Sequence, residues 1–301
     1  MERTVVALGF FDGLHLGHAA LLERAKARAA ALGAVPAILT FDVHPDTFVK
    51  GAPVELLNSA ADRGYIARRF FGVERLFCIH FNAETMHLSW QDFMEKFTAA
   101  YGAAGYVIGH DFCCGWRGEG TAEKISDWCA ARGLLCDVIP AVTLDGVTVS
   151  STYIRALLRD GDMERAAAFL GRPHLLTDTV RTGFRIGRTM DYPTVNMRFE
   201  DGVLVPPHGV YFSRVCLPDG TERGAVTNIG VRPTFDGDRV TVETHILDYS
   251  ADLYGERVCV ELLHFERPER RFETPEALRS QIKADAAAAR EYLGASAKQT
   301  D

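Results

Sequence analysis

The segment that most constrains this chain is Gly9-Phe-Phe-Asp-Gly-Leu-His-Leu-Gly-His18. It joins an apolar run, Thr4-Val-Val-Ala-Leu8, to a helix-forming run from Ala19 to Leu32 that stops at Gly33. The apolar run reads as a short buried strand, and the Gly stop as a helix C-terminus. The segment between them is therefore a tight strand-to-helix turn. Free N–H groups and the positive dipole end make such a helix start an anion site. His15 and His18, three apart around Gly17, can both point into its mouth. Gly17 removes a side chain where a phosphate and the backbone would come close. Two imidazoles there can donate hydrogen bonds to phosphate oxygens as negative charge builds up. The same residues also allow a purely structural reading, a helix cap and a packed core ring.

The turn opens a repeating pattern. Strand-like runs at 35–41, 75–81, 106–108 and 134–139 alternate with helical runs at 57–70, 89–102 and 122–132. Alternation of this kind predicts a parallel sheet with right-handed crossovers, in which ligands bind beyond the carboxyl ends of the strands. The unusual polar turns, 9–18, 42–47, 109–120 and 150–155, all fall at those ends. The Gly-rich loop 109–120 reads as irregular. Asp111 within it either orients a ligand or closes an Asx turn. Ser150-Ser-Thr-Tyr-Ile-Arg155 opens a helix. Its N–H groups, the hydroxyls of Ser151 and Thr152, and Arg155 suit a polyphosphate, or cap an ordinary surface helix.

Gly171-Arg-Pro173 predicts a boundary, giving domains at 1–172 and 173–301. Beyond it, strand-like runs at 175–181, 209–216, 223–229, 240–247 and 257–266 come without long helices between them, which predicts a small antiparallel barrel; a final helix spans about 275–293. Gly183-Phe-Arg-Ile-Gly-Arg188 is a basic loop. Thr194 and Asn196 share a face if extended. Glu243 sits in a β pattern; spacing alone favours an outward, solvated carboxylate, because charged residues are mostly exposed.

Composition narrows the class. A net charge of −7 with mixed signs excludes broad nucleic-acid or membrane-surface binding. No apolar stretch reaches spanning length and no signal-type N-terminus is present, so the cytoplasm is the expected compartment. The seven cysteines, odd in number and without Cys-x-x-Cys, read as reduced buried thiols. His15 and His18 have no third ligand at familiar zinc spacing. P-loop, Gly-x-Gly-x-x-Gly and Gly-x-Ser-x-Gly motifs are absent.

Taken together, the motifs resemble those of the bacterial bifunctional FAD synthetases, in which riboflavin kinase is fused to FMN adenylyltransferase. Residues 9–18, Phe41-Asp-Val-His-Pro45, Gly109-His-Asp-Phe-Cys-Cys-Gly115 and Ser150–Arg155 resemble the family's nucleotidyltransferase motifs. Pro193-Thr-Val-Asn196, Gly209-Val-Tyr211, Asn228-Ile-Gly-Val-Arg-Pro-Thr234 and Val242–Asp248 resemble its kinase module. The resemblance implies a Rossmann-like nucleotidyltransferase domain followed by a riboflavin kinase-like antiparallel barrel with a terminal helix. It implies ATP, riboflavin, FMN and FAD as substrates or products, with Mg²⁺, and small molecules as the partners of a monomer or weak homo-oligomer.

The resemblance also implies roles. Glu243 would be the general base of the kinase, with Thr194 and Asn196 on the metal and phosphates. Gly183, Arg185, Gly187 and Arg188 would cover the nucleotide. His15 and His18 would stabilise the adenylyl transfer, with Gly9, Phe11, Gly17, Ser151, Thr152 and Arg155 around the ATP phosphates. His44, Asp111, Asn228 and Arg232 would contact flavin. Val43, Cys114 and Phe10 depart from the family pattern near the expected flavin pocket, and Asp178 and Asp191 depart from it near the kinase flap. A single-activity enzyme that keeps both modules but only one chemistry, or adenylylates another phosphate such as a pantetheine or glycerol phosphate, and a non-catalytic flavin-binding or storage protein are the rival readings.

Overall fold

The computed structural model describes residues 2–181, 193–234 and 237–297. The chain divides into two compact units, Met1–Ser151 and Thr152–Asp301.

The first unit runs β1 (Thr4–Leu8), α1 (Leu16–Leu32), β2 (Val35–Phe41), α2 (Pro45–Lys50), α3 (Ala60–Phe71), β3 (Arg75–Ile79), α4 (Ala83–His87), α5 (Trp90–Tyr101) and β4 (Ala103–Gly109). A small hairpin of β5 (Cys113–Cys114) and β6 (Gly120–Thr121) follows, then α6 (Ala122–Ala130), β7 (Leu135–Ile139) and a second hairpin, β8 (Thr143–Leu144) with β9 (Val147–Thr148). The sheet is parallel, in the order β3-β2-β1-β4-β7. β1 is its central strand, and Val5 to Leu8 are 0–1% exposed. Such a strand is covered on both faces and therefore reads as an unbroken apolar run. The chain leaves β1 toward β2 and later returns to β4 on the other side. The turn after β1 thus stands at the switch point where α/β sheets open a crevice.

Several elements depart from the sequence reading. α1 begins at Leu16, three residues before the expected Ala19, because His15 caps it. α3 begins at Ala60 rather than at 57, behind a Ser59–Asp62 capping box. The polar turn after β2 contains α2, with Pro at its first position and Gly51 in the left-handed conformation after it. α4 was not expected at all, and the loop 109–120 contains the β5–β6 hairpin. Cys78 and Cys113 are exposed, so the expectation of buried thiols fails for those two.

The second unit takes in α7 (Ser151–Arg159) from its second residue onward, α8 (Met163–Leu170), β10 (His174–Thr179), β11 (Thr194–Met197), β12 (Gly209–Cys216), β13 (Glu222–Thr234), β14 (Gly237–Ile246), β15 (Arg257–Pro268) and α9 (Pro275–Ala297). Its antiparallel sheet has the order β10-β15-β12-β13-β14-β11. An antiparallel bridge between Arg181, just beyond β10, and Asn196 of β11 links the two edge strands, so the sheet curls into a barrel as expected. Ser213, Thr227 and Thr244 are fully buried and bond hydroxyl to hydroxyl across β12, β13 and β14, at 2.7 and 2.9 Å. On the opposite face Phe212 and Leu247 pack against Ala286 and Ala289 of α9.

Candidate active sites in the two units

In the first unit the site is a backbone construction. Phe11, Gly13 and Leu14 hold φ of 58°, 82° and 40° in the turn after β1. Non-glycine residues held there cost about 1–3 kcal/mol each, and such strain gathers at functional sites. His15 follows as the cap of α1, and its Nδ1 accepts from the His18 N–H at 3.3 Å. Its neutral ring therefore carries the proton on Nε2. The His15 and His18 rings stack with centroids 3.7 Å apart, and Phe11 lies 5.0 Å from His18. A Cβ on Gly17 would stand 3.1 Å from the His15 ring. One on Gly9 would stand 3.2 Å from the Phe11 ring. The cap and the stacked pair coexist, so the structural reading of these histidines is correct without displacing the functional one.

A residue not identified from sequence, Arg63, holds this turn. It is 1% exposed. It donates to the Phe10 carbonyl (2.7 Å), the Thr40 hydroxyl (2.7 Å) and the Phe41 carbonyl (2.9 Å). Its guanidinium also lies 4.5 Å from the Phe10 ring centroid. One buried cation thus ties the turn after β1 to the end of β2. Burial lowers its pKa from the usual arginine value. Asp12, also buried, accepts from the Leu57 N–H at 2.7 Å.

The remaining first-unit candidates surround the same sheet edge. His44 caps α2 through Nδ1, which accepts from the Asp46 N–H, and its ring lies 4.5 Å from that of Phe10. Burial would raise the Asp42 pKa, but hydrogen bonds from His80, Phe81 N–H and Val43 N–H outweigh it and hold it below the usual value. Phe10, Val43 and Cys114, the three departures from the family pattern, all pack on one apolar cluster with Phe41, Phe81 and Phe93. Burial pushes the Cys114 thiol up to about 12, leaving it a neutral filler. Asp111 is exposed beyond β4, within a turn closed by Phe112 N–H to Gly109 O. The Ser151 hydroxyl donates to the Asp12 carbonyl at 2.9 Å, so its proton serves the turn. Thr152 and Arg155 belong to the second unit, where Arg155 reaches the Thr152 hydroxyl at 3.4 Å.

In the second unit the site is a row of side chains. β11, β14 and β13 pair so that Asn196 is opposite Glu243, and Glu243 opposite Asn228. All three therefore project from one face of neighbouring strands. Val195 and Met197 turn inward, leaving Thr194 and Asn196 partly exposed on the shared face, as predicted. Glu243 is half-buried between inward Val242 and Thr244, so it is neither fully solvated nor inside the barrel. Asn228 donates to Glu269 at 3.1 Å. His245 lies opposite Thr194 and bonds the Pro193 carbonyl at 3.0 Å. An open cleft adjoins the row, its wall including Thr194, Asn196, Tyr249, Asp252 and Tyr254. Asp178 accepts from the Arg198 N–H at 3.0 Å and pairs with Arg181 at 3.4 Å. Arg232 pairs through its backbone with Arg239. Gly183, Arg185, Gly187, Arg188 and Asp191 lie outside the described residues.

Comparison with known proteins matches this division. The FAD synthetase family model matches residues 1–153 and the riboflavin kinase model residues 170–293. A bifunctional riboflavin kinase/FMN adenylyltransferase of Pseudomonas fluorescens is 35% identical over 97% of this chain and 94% of its own length. One from Listeria monocytogenes is 32% identical over 94% and 90%. A solved structure from Streptococcus pneumoniae, described as a macrolide-efflux protein, superposes with a TM-score of 0.80 at 30% identity, covering 96% of this chain and 94% of that one. Among the described residues no helix is long and apolar enough to cross a membrane. The chain belongs to the family of bifunctional riboflavin kinase/FMN adenylyltransferases.

Proposed function

We propose that this chain phosphorylates riboflavin to FMN in its C-terminal unit and adenylylates FMN to FAD in its N-terminal unit, spending one ATP at each step. The observation that supports the proposal is that the two units present two different arrangements suited to phosphate, one of fixed backbone and one of aligned side chains. We place the functional boundary at 172/173, after Gly171, which ends α8. The cytoplasm is the compartment this reading favours, and a monomer or weak homo-oligomer its state.

In the kinase reaction the riboflavin 5′-hydroxyl attacks the γ-phosphate of ATP and Glu243 takes its proton. Asn196 and Asn228 flank Glu243 and orient the hydroxyl and the nucleotide. Arg185, Arg188, Gly183 and Gly187 would cover the phosphates, and Arg232 would reach the flavin. The donors present suit Mg²⁺, because the Thr194 hydroxyl and the Asn196 carbonyl are hard oxygens on one face. Asn196 Nδ2 points at the Thr194 carbonyl, which turns Oδ1 the other way. When bound, the ion neutralises charge on the nucleotide phosphates.

In the adenylyl transfer the FMN phosphate attacks the α-phosphate of ATP and pyrophosphate leaves. No enzyme nucleophile is required, so catalysis is positioning and charge stabilisation. The His15 Nε2–H and the His18 ring face the developing charge. The first N–H groups of α1 add their dipole. Gly9, Phe11 and Gly17 shape the approach. Ser151, Thr152 and Arg155 would serve the pyrophosphate, with Ser151 acting through its backbone N–H while its hydroxyl holds the Asp12 carbonyl. His44 and Asp111 contact flavin above the apolar cluster that holds Phe10, Val43 and Cys114. Pure protein given riboflavin, ATP and Mg²⁺ should form FMN first and FAD after it, as flavins separated chromatographically over time. Protein that converts neither riboflavin nor FMN would refute the proposal.

A further inference from the structure

A second cluster of ligating side chains lies at the far end of β12. Cys216 stands directly opposite Cys259 of β15 on one side and opposite Glu222 of β13 on the other. Glu261, two residues after Cys259, shares its face and lies opposite Arg214. This face is turned away from the buried hydroxyls of Ser213 and Thr227, since 214 and 216 alternate with 213 and 215. The two Sγ atoms and a Glu261 carboxylate oxygen lie within 4.8 Å of one another, all on buried residues. Glu222 Oε1 is 3.9 Å from Cys216 Sγ. The Glu222 side chain is 39% exposed and forms the mouth of the cluster.

We propose that Cys216, Cys259, Glu261 and Glu222 bind one thiophilic divalent cation, with zinc the ion that fits. Two thiolates and two carboxylate oxygens supply the tetrahedral donor set zinc takes, whereas thiolate ligation excludes Mg²⁺ and Ca²⁺. Thiolates on one zinc stand about 3.8 Å apart, so closing Cys216, Cys259 and Glu261 on one ion asks about 1 Å of side-chain movement, and the partly exposed Glu222 swings in as the fourth ligand. Charge permits it as well. Arg214 donates through Nε to Glu261 Oε2 at 2.8 Å and pairs with Glu222 Oε2 at 3.3 Å. Arg214 thus holds both carboxylates from behind, with Glu222 Oε1 on the Cys216 side. A divalent ion that displaces two thiol protons leaves the net charge of the buried cluster unchanged. The ion would pin β12, β13 and β15 together, apart from the Asn196–Glu243–Asn228 row.

The test uses the reduced, metal-free full chain, titrated with Co²⁺ and then with Zn²⁺. The expected result is one equivalent of Co²⁺ bound with a thiolate-to-cobalt charge-transfer band that Zn²⁺ bleaches. Cys216→Ser/Cys259→Ser should lose the band, Cys78→Ser/Cys113→Ser should keep it, and Glu222→Gln should weaken binding at least about tenfold. Zn²⁺ should raise the unfolding temperature of the unaltered protein and not of Cys216→Ser/Cys259→Ser, whose flavin-forming rates stay unchanged. No charge-transfer band, or a band that survives in Cys216→Ser/Cys259→Ser, would overturn the proposal. So would a Cys216–Cys259 disulfide that forms readily while the reduced pair takes up no metal. Should the double variant fold poorly, the Glu222→Gln titration decides: unchanged Co²⁺ affinity there would count against the site.

Discussion

The sites proposed in the two units are built by opposite means. The N-terminal site is made of main chain: a turn with three positive φ values, the start of α1, and carbonyls clamped by the buried Arg63. The C-terminal site is made of side chains brought into one row by strand register. The difference follows from the chemistry. Adenylyl transfer to a phosphate needs no proton taken from the nucleophile, so fixed dipoles and rigid geometry suffice. Phosphorylation of a hydroxyl needs a placed acceptor, which a carboxylate between two amides provides. The kinase site should therefore fail through one residue, whereas the adenylyl site should also fail through residues that only shape it.

The sharpest break should come at Glu243. Glu243→Gln is expected to slow FMN formation by roughly 10²–10⁴-fold while FAD formation from supplied FMN stays within twofold, measured as separate initial rates. Next, His18→Ala should cost FAD formation about a hundredfold, near 3 kcal/mol, and spare FMN formation. Arg63→Met tests the shaping argument. It strands carbonyl and hydroxyl acceptors that had a charged donor, a loss of about 3 kcal/mol in stability. FAD formation should fall with FMN formation intact at a temperature where both units remain folded. An unchanged FAD rate would mean that Arg63 stabilises without positioning.

A pH scan separates the units by stability. Burial, with the charge of Arg172 adding to it, pushes the His174 pKa down from 6.5 to about 3. Above 6.5 the folded and unfolded forms are both neutral. As the pH falls from 6.5 toward 3, the unfolded chain takes up a proton that the folded one refuses. Stability of the C-terminal unit should then fall by up to about 1.4 kcal/mol per pH unit. His174→Leu should flatten that slope in urea melts at pH 4–7. The smallest effect belongs to Ser151→Ala, which removes one hydrogen bond to the Asp12 carbonyl, about 1 kcal/mol, and should lower the FAD rate modestly.

What sequence revealed of these sites, and what it hid, follows from range. β1, β2 and β12 have the bounds their apolar runs predict, because burial on such strands is a local pattern. The strand-to-helix turn was legible from Gly17 and the two histidines. The early start of α1 was not, since His lies outside the usual capping residues. α2 and α4, of 6 and 5 residues, are too short to show a helical period. Arg63 stayed hidden because its role depends on carbonyls 22 and 53 residues away. Glu243 read as solvated for the same reason, because only register sets it between Asn196 and Asn228. Cys216 and Cys259, 43 positions apart, carried no motif until pairing placed them opposite one another.

Two independent sites in one chain are tested most sharply by complementation between two single-site variants. Glu243→Gln and His18→Ala are each incubated with riboflavin, ATP and Mg²⁺, and then mixed. Little product is expected from the first, FMN with little FAD from the second, and FAD from the mixture. Loss of FMN formation in His18→Ala, failure of Glu243→Gln to make FAD from supplied FMN, or a mixture that stops at FMN would contradict two independent sites in one chain.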